Sequence, residues 1–352
     1  MNKAVKYARN GILIGGAGFG LANLFNQLIV REQGKAFNWK EFFTSILKGA
    51  AIGGSIGLGA GVVKDYLNAQ EEPINTDAVL FTMLNKVRLN PEDRNYRILL
   101  QKSDWLIEII KNKFADDLKK PPYRFGSTEK GTALKEKFDI DICVSFKPST
   151  FSSTTEMYFS LLETLNKYNN TNGIIKIRDQ KKSIGVFFLV NGIEQKIDIL
   201  PHKITKTKGN STSGYLYVNN KGLFAKPSRT KTDIQLLNSI KLSETQKKIL
   251  IVLKDWKNKK QIPLSSHLLQ YLVLDAYFAN KNHIPRNFTS KIIMVFNYIK
   301  DNIENVVLSS IENTNNILTN ISDNEKLAIS IACKDIVEEY QYQPNSIINS
   351  LK

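Results

Sequence analysis

The feature that most constrains the fold of this chain is a pair of aspartates inside an apolar run. Asp139 and Asp141 lie two residues apart within Phe138–Phe146. On a β-strand, residues i and i+2 point to the same face, so both carboxylates would lie side by side. Two such carboxylates repel each other unless a cation lies between them. Taken alone, the pair also fits a solvated strand edge, but neighbouring motifs favour a divalent-metal site, for which Mg²⁺ is suited.

Two of those motifs lie on either side of the aspartate pair. Upstream, residues 126–132 read Gly-Ser-Thr-Glu-Lys-Gly-Thr, a turn whose backbone N–H groups and hydroxyls suit a polyphosphate. Downstream, Asp198 lies in the strand-like run Ile193–Leu200, which follows the strand-like run Ser183–Val190. Asn191-Gly192 joins the two runs and predicts a hairpin. A third carboxylate in the same sheet could complete a site for two metal ions.

This ordered combination resembles a known superfamily. Gly-Ser, Gly-Thr, Asp-x-Asp and a distant Asp followed by Leu-Pro are similar to the motifs of the DNA polymerase β-like nucleotidyltransferases. Within that superfamily the chain most resembles the cGAS/DncV-like nucleotidyltransferases of bacterial anti-phage signalling, which are relatives of the oligoadenylate synthetases. The resemblance covers about residues 76 to 345. It implies that Asp139, Asp141 and Asp198 are catalytic and hold two Mg²⁺ ions, or Mn²⁺ in their place. It also implies that Gly126, Ser127 and Thr132 bind the nucleotide.

The C-terminal half predicts helices and a second set of nucleotide contacts. Ser243 to Gln246 has a capping-box pattern. The helix that follows and the segment beginning at Pro263 resemble the helical domain of the family, in which a lysine and a serine reach the donor triphosphate. By position these would be Lys254 and Ser266, with Ser265 as a rival. A helix N-terminus is favourable for phosphate, although Lys254 could also be a solvated helix residue.

The N-terminal segment is unusually rich in glycine. Twelve of the 20 glycines fall in the first 61 residues. Residues 11–30 carry no charge, and residues 42–63 carry only Lys48. Glycine recurs every fourth residue at 49, 53, 57 and 61, a spacing that lets membrane helices approach closely. Residues 1–70 are therefore predicted to form a glycine-zipper helical hairpin and membrane anchor. A signal peptide and a soluble glycine-rich arm are the alternatives.

The amino-acid composition indicates the kind of partner and argues against a disulfide framework and structural zinc. A formal charge of +16 favours a polyanionic partner such as a nucleotide, a nucleic acid or an anionic membrane, although biased lysine and asparagine usage would give the same excess. Two cysteines make no disulfide framework, and three histidines without metal-ligand spacing argue against structural zinc.

The sequence thus predicts an α+β fold with three parts. These are the hairpin over residues 1–70, a catalytic domain with a mixed sheet over 76–235, and a helical domain over 236–352. The implied activity is condensation of nucleoside triphosphates, ATP among them, into a cyclic or short linear second messenger. The alternatives are a template-independent polymerase, a tRNA nucleotidyltransferase, or a membrane-anchored nucleic-acid sensor without activity. Expected partners are a downstream effector and a nucleic-acid or protein activator. The expected location is the bacterial inner membrane with the catalytic domain in the cytoplasm, or the cytoplasm alone.

Overall fold

A seven-stranded mixed sheet supports the aspartate motifs. The computed structural model describes residues 74–205, 213–220, 226–305 and 321–352. The strands are β1 (Tyr123–Phe125), β2 (Asp139–Phe146), β3 (Ile174–Asp179), β4 (Ile184–Val190), β5 (Ile193–Ile204), β6 (Gly214–Val218) and β7 (Ser228–Thr232). The main order is β1-β2-β5-β4-β3, with β6 on the end of β5 and β7 on β6. Strands β2 and β5 are parallel, whereas every other pairing is antiparallel.

Helices precede, interrupt and follow the sheet. In the described residues they are α1 (Thr76–Val87), α2 (Arg94–Lys113), α3 (Gly126–Glu129), α4 (Thr154–Asn166), α5 (Ile234–Ser239), α6 (Glu244–Lys259), α7 (Ser266–Ala279), α8 (Phe288–Asn302), α9 (Asp323–Tyr342) and α10 (Ser346–Ser350). The mixed sheet and the helical C-terminal region confirm the predicted fold class. Residues 1–73 lie outside the described residues, so the glycine-zipper hairpin stays a prediction. No helix in the described ranges is long and apolar enough to cross a membrane.

The described residues form two large hydrophobic cores and a third, small cluster. In the first, α2 and α4 cover one face of the sheet, because alternate strand residues such as Ile140, Ile142 and Val144 are fully buried there. The second core joins α6, α7, α8 and α9 around Trp256 and Phe296, whose rings meet edge to face. The residues from Asn75 to the C-terminus nevertheless form one unit.

Helix α1 belongs to the second core rather than to the sheet. Its residues Leu80 and Leu84 are buried among the C-terminal helices. The sequence predicts Asp77 or Thr76 as the cap of α1, but Asp77 accepts bonds from the backbone N–H groups of Phe288 (2.9 Å) and Thr289 (2.8 Å) at the start of α8. The cap of α1 is Asn75, whose side chain accepts from Ala78 N. The predicted catalytic range of 76–235 thus begins with a helix that packs on the helical half.

Most element boundaries lie close to the predicted ones. Asn90 followed by Pro91 predicts a helix start at Pro91, but α2 begins three residues later, at Arg94, because Asp93 caps it by accepting from the backbone N–H groups of Asn95 and Tyr96. The capping box at Ser243 and Gln246 is present as predicted. Strand β5 runs on to Ile204, beyond the predicted run Ile193–Leu200, because its last residues pair with β6.

Candidate active site

The parallel pairing of β2 and β5 brings the three predicted carboxylates together. Asp141 lies directly opposite Asp198, and Asp139 lies opposite Lys196. Residues opposite each other on neighbouring strands point to the same face, as do residues two apart on one strand. Asp139, Asp141 and Asp198 therefore share one face of the sheet, opposite the face buried under α2 and α4. This placement agrees with the grouping predicted from sequence.

Lys196 is a member of this site that the sequence analysis missed. Its Nζ lies 3.0 Å from Asp139 Oδ2 and 2.7 Å from Asp198 Oδ2. The lysine side chain is 29% exposed and that of Asp198 only 13%, so the pair is partly shielded from water. The signal was available, because Lys196 is two residues before Asp198 on the same strand and must share its face.

Burial and mutual repulsion raise the pKa values of Asp141 and Asp198. Burial, and then the neighbouring carboxylates of Asp139 and Asp198, raise the pKa of Asp141 to about 8. Burial also raises the pKa of Asp198, although the hydrogen bond from Lys196 opposes that shift. Raised pKa values at adjacent carboxylates mark a place where a further positive charge would be stabilising.

The donor set of this site fits a divalent metal ion. Asp198 Oδ1 is buried and has no hydrogen-bond partner in the described structure, which leaves a carboxylate oxygen free to act as a ligand. Carboxylate oxygens are the protein ligands that Mg²⁺ prefers. Within the described ranges, however, no three acidic, histidine or cysteine side chains converge closely enough to hold one ion. At this site the Lys196 ammonium lies between Asp139 and Asp198.

The Gly-Ser turn lies against the carboxylates. Gly126 adopts φ +85°, a conformation that side chains other than glycine disfavour, at the start of the short helix α3. A Cβ built on Gly126 would lie 2.1 Å from Asp141 Oδ2, so the backbone passes directly beside this acid. Ser127 is half-buried, and its carbonyl accepts a 2.9 Å bond from Thr132 N. Thr132 itself is 1% exposed, which places it under the turn rather than on its surface.

Lys254 links the helical half to this turn. It lies on α6 with 7% exposure, and its Nζ donates to the carbonyl oxygen of Thr132 at 2.9 Å. Burial, followed by the charges of Lys257 and Lys130, lowers the pKa of Lys254 to about 8. The alternative that Lys254 is a solvated helix residue is therefore wrong, and its ammonium lies just behind the residues predicted to bind phosphate.

The two serines before α7 are in different situations. Ser265 is the N-cap of α7, and its side chain accepts a bond from Leu268 N. Ser266 is the first helical residue and is exposed. Since the hydroxyl of Ser265 is engaged in capping, Ser266 is the better placed of the two to meet a ligand.

Two rows of side chains extend from the carboxylates toward the edge strand β3. One row pairs Asp139, Lys196, Phe187 and Lys176 across four strands, and the next pairs Asp141, Asp198, Gly185 and Arg178. The ring of Phe187 lies beneath both outer cations, with its centroid 5.5 Å from Lys176 Nζ and 5.4 Å from the Arg178 guanidinium carbon. The face of the sheet therefore changes from negative at its centre to positive at its exposed edge.

Comparison with known proteins agrees with this geometry. Residues 103–206 match the family model described as a nucleotidyltransferase domain. No curated protein is similar in sequence to this chain. Among solved structures, CdnC of E. coli MS115-1 with ATP is 17% identical, with a TM-score of 0.60, and the match covers 78% of this chain and 95% of that one.

Two further solved structures show how widely the fold is shared. The CD-NTase CdnG of Bradyrhizobium diazoefficiens in complex with GTP is 10% identical, with a TM-score of 0.61 over 79% of this chain and 98% of that one. The Cid1 poly(U) polymerase with Mg and 3′-dATP is 16% identical, with a TM-score of 0.55 over 80% and 99% of the two chains.

The matched domain and the fold indicate the class of protein. Residues 103–206 match a nucleotidyltransferase domain, and the described residues share their fold with CdnC and the Cid1 poly(U) polymerase. The resemblance to the cGAS/DncV-like nucleotidyltransferases drawn from the sequence is confirmed at the level of the fold.

Proposed function

We propose that this protein condenses nucleoside triphosphates, ATP among them, into a cyclic or short linear oligonucleotide that acts as a second messenger in anti-phage defence. The observation that carries the proposal is the register of β2 and β5, which puts three acids on one face beside a Gly-Ser turn. The likeness of the fold to CdnC with ATP and CdnG with GTP supports nucleotides as substrates. An effector that binds the product and a protein or nucleic-acid activator would be its partners. CdnC has been solved in complex with a HORMA protein.

The reaction joins a ribose hydroxyl to an α-phosphate. The hydroxyl oxygen bonds to the α-phosphorus, the bond from that phosphorus to the β-phosphate oxygen breaks, and pyrophosphate leaves. Asp139, Asp141 and Asp198 would hold Mg²⁺ or Mn²⁺, which supplies positive charge against the developing negative charge. With one Asp198 oxygen on the metal, the other would be available to accept the hydroxyl proton. The Gly126–Ser127 turn and Ser266 would hold the triphosphate, and Lys254 would support the turn from behind.

The acceptor nucleotide would lie along the rows that lead to β3. Lys176 and Arg178 are exposed at the edge strand and provide positive charge on the face that carries the carboxylates. Their charge would attract a phosphate of the acceptor, while the hydroxyl faces Asp198. A longer acceptor, such as the end of an RNA, would use the same positive edge. The likeness to the Cid1 poly(U) polymerase therefore makes template-independent polymerisation the second candidate.

One experiment separates these possibilities. The full-length protein is incubated with Mg²⁺ or Mn²⁺ and each nucleoside triphosphate, with and without an RNA primer, and products are identified by mass spectrometry. We expect pyrophosphate release and a di- or trinucleotide without primer. Extension only of the primer would instead favour the polymerase.

The control for this experiment is an exposed acid outside the proposed site. The double variant Asp139→Asn/Asp141→Asn should lose at least about a hundredfold in turnover, because the transition-state charge is no longer matched. Asp301→Asn, on an exposed part of α8, should behave like the wild type. Equal turnover in the double variant would contradict the assignment, and absence of turnover in both proteins would favour a binding protein such as a nucleic-acid sensor.

The predicted tether is part of the proposal but rests on sequence alone. The glycine spacing over residues 1–70 favours a hairpin that holds the enzyme at the inner face of the bacterial membrane. Fractionation of cells expressing the full chain tests this. Recovery in the membrane fraction, with release only by detergent, would support the tether, and recovery without detergent would favour a glycine-rich arm and a cytoplasmic enzyme.

A further inference from the structure

Lys196 lies where the three acids would otherwise be left with unbalanced charge. It shares strand β5 with Asp198, two residues away, and lies opposite Asp139 on β2. Its ammonium contacts one oxygen of each acid, at 2.7 Å from Asp198 Oδ2 and 3.0 Å from Asp139 Oδ2. The strand register fixes this position, since both neighbours face the same side of the sheet.

We propose that the Lys196 ammonium is a resident counter-ion of the metal-free site, which a divalent cation must displace in order to bind. In this role Lys196 is a positioning residue: it holds Asp139 and Asp198 near each other before the metal arrives. The inference rests on the proposed metal-dependent activity and adds to it a built-in competitor for the metal.

Elementary electrostatics supports the competition. The oxygens that contact the ammonium are oxygens that a metal would use, and a dication close to an ammonium in a partly shielded site is strongly repelled. The lysine stem is long and flexible, so the ammonium can swing away while its backbone stays in the strand. Metal-free protein is then held in an ordered state, and metal affinity is lowered by the free energy needed to break two ion pairs.

The test measures metal binding without turnover. Mn²⁺ binding to nucleotide-free, full-length protein is followed through the electron paramagnetic resonance signal of free Mn²⁺. Lys196→Met keeps the length of the side chain and removes the charge, and we expect it to bind Mn²⁺ about tenfold more tightly than the wild type. Lys196→Arg keeps the charge and can bridge carboxylates with a planar fork, so it should bind Mn²⁺ no more tightly than the wild type.

A matched control removes the effect of net charge. Lys167→Met deletes one positive charge from an exposed position near the end of α4, where the lysine pairs with Glu163. It should leave Mn²⁺ affinity unchanged. Thermal unfolding in EDTA gives a second readout: Lys196→Met should melt at a lower temperature than the wild type, and saturating Mn²⁺ should remove that difference.

The outcomes separate failure of this inference from failure of the proposed function. Wild-type binding of Mn²⁺ that is lost in Asp139→Asn/Asp141→Asn, together with equal affinity in Lys196→Met, would overturn the counter-ion and leave the metal site standing. Weaker Mn²⁺ binding in Lys196→Met would overturn it as well. If neither the wild type nor Lys196→Met binds Mn²⁺ more tightly than Asp139→Asn/Asp141→Asn does, both the counter-ion and the proposed metal site are overturned. If Lys196→Met does not fold in EDTA, tighter Mn²⁺ binding by Lys196→Arg would still contradict the counter-ion.

Discussion

Gly126 and Asp141 are packed so closely that position 126 has no room for a side chain. A Cβ there would lie 2.1 Å from Asp141 Oδ2 and 3.0 Å from the carboxylate carbon. The turn that is predicted to hold phosphates thus packs directly against the acid that is predicted to hold metal. A change in the turn must move the acid.

Gly126→Ala should therefore abolish most activity while leaving the protein folded. The added methyl group pushes the Asp141 carboxylate out of place, and a displacement of about 1 Å in a catalytic group costs about a hundredfold in rate. Gly192→Ala is the matched control, because Gly192 also has a positive φ (+78°) but a Cβ there would meet nothing within 4 Å. Pyrophosphate release and urea denaturation are measured for both. A similar loss of activity in the two variants would show that backbone strain, rather than contact with Asp141, is responsible.

The pH dependence of stability should reveal the raised pKa of Asp141. With a pKa of about 8 when folded against an ordinary value of 3.8, Asp141 keeps a proton in the folded protein that the unfolded chain releases. The folded state binds more protons in this range, so the free energy of unfolding of metal-free protein should fall as pH rises toward 8. The slope is at most about 1.4 kcal/mol per pH unit for one proton.

The measurement is urea denaturation in EDTA between about pH 7 and 7.5, the range in which two opposing groups contribute least. His202, with a pKa lowered to about 4, opposes the trend mainly below this range, and Lys254, with a pKa of about 8, opposes it mainly above. Asp198 acts in the same direction as Asp141. Asp141→Asn should flatten the slope, and saturating Mg²⁺ should remove it because metal binds the deprotonated acids. An equal slope in Asp141→Asn would contradict the assignment.

Lys254→Met should affect both stability and nucleotide binding. It removes the donor to the Thr132 carbonyl, and an unsatisfied buried group costs about 1–3 kcal/mol in the free energy of unfolding. Because that carbonyl belongs to the end of the Gly-Ser turn, the KM for the donor triphosphate should rise as well. Lys257→Met, one helical turn away and half-buried, is the control. A loss of stability with unchanged KM for every nucleotide would assign Lys254 to packing alone.

Removal of residues 1–70 should release an active enzyme. Every residue proposed for the site lies in the unit from Asn75 onward, so the truncated protein should fold and make the same product. Comparison of specific activity and membrane fractionation between the full chain and residues 71–352 tests this. Loss of product in a folded truncation would mean that the N-terminal segment contributes to catalysis.

The central strands and the three acids were predictable from the sequence because their signals are local. Asp139 and Asp141 alternate with buried residues, which predicts a strand. Asn191-Gly192 lies between two apolar runs, which predicts a hairpin. Both signals come from residues that are close together in the sequence. The parallel pairing of β2 with β5 is not encoded locally, since about 50 residues separate the two strands and no turn fixes their register. The sequence analysis placed Asp198 in the same sheet but did not predict that its strand pairs with β2.

The features that were missed depend on contacts between distant elements. The burial of Lys254 against Thr132 joins residues 122 positions apart, so no pattern within α6 distinguishes it from a solvated lysine. The role of Asp77 has the same origin, because its partners lie 211 and 212 residues away on α8. Lys196 is different, because the two-residue spacing that puts Asp139 and Asp141 on one face also puts Lys196 on the face of Asp198. Lys196 could therefore have been predicted from the sequence.

The placement of α1 in the helical core determines how the two halves of the molecule are connected. The chain leaves that core after Val87, builds the sheet, and returns to it at Leu242. Leu134 packs in the helical core as well, and Lys254 donates to the Thr132 carbonyl, so the two halves also meet just after the Gly-Ser turn. The first helix and the last helices of the described structure therefore depend on each other. A chain cut before Ser243 would keep the whole sheet but would leave Leu80 and Leu84 of α1 without the helices that bury them.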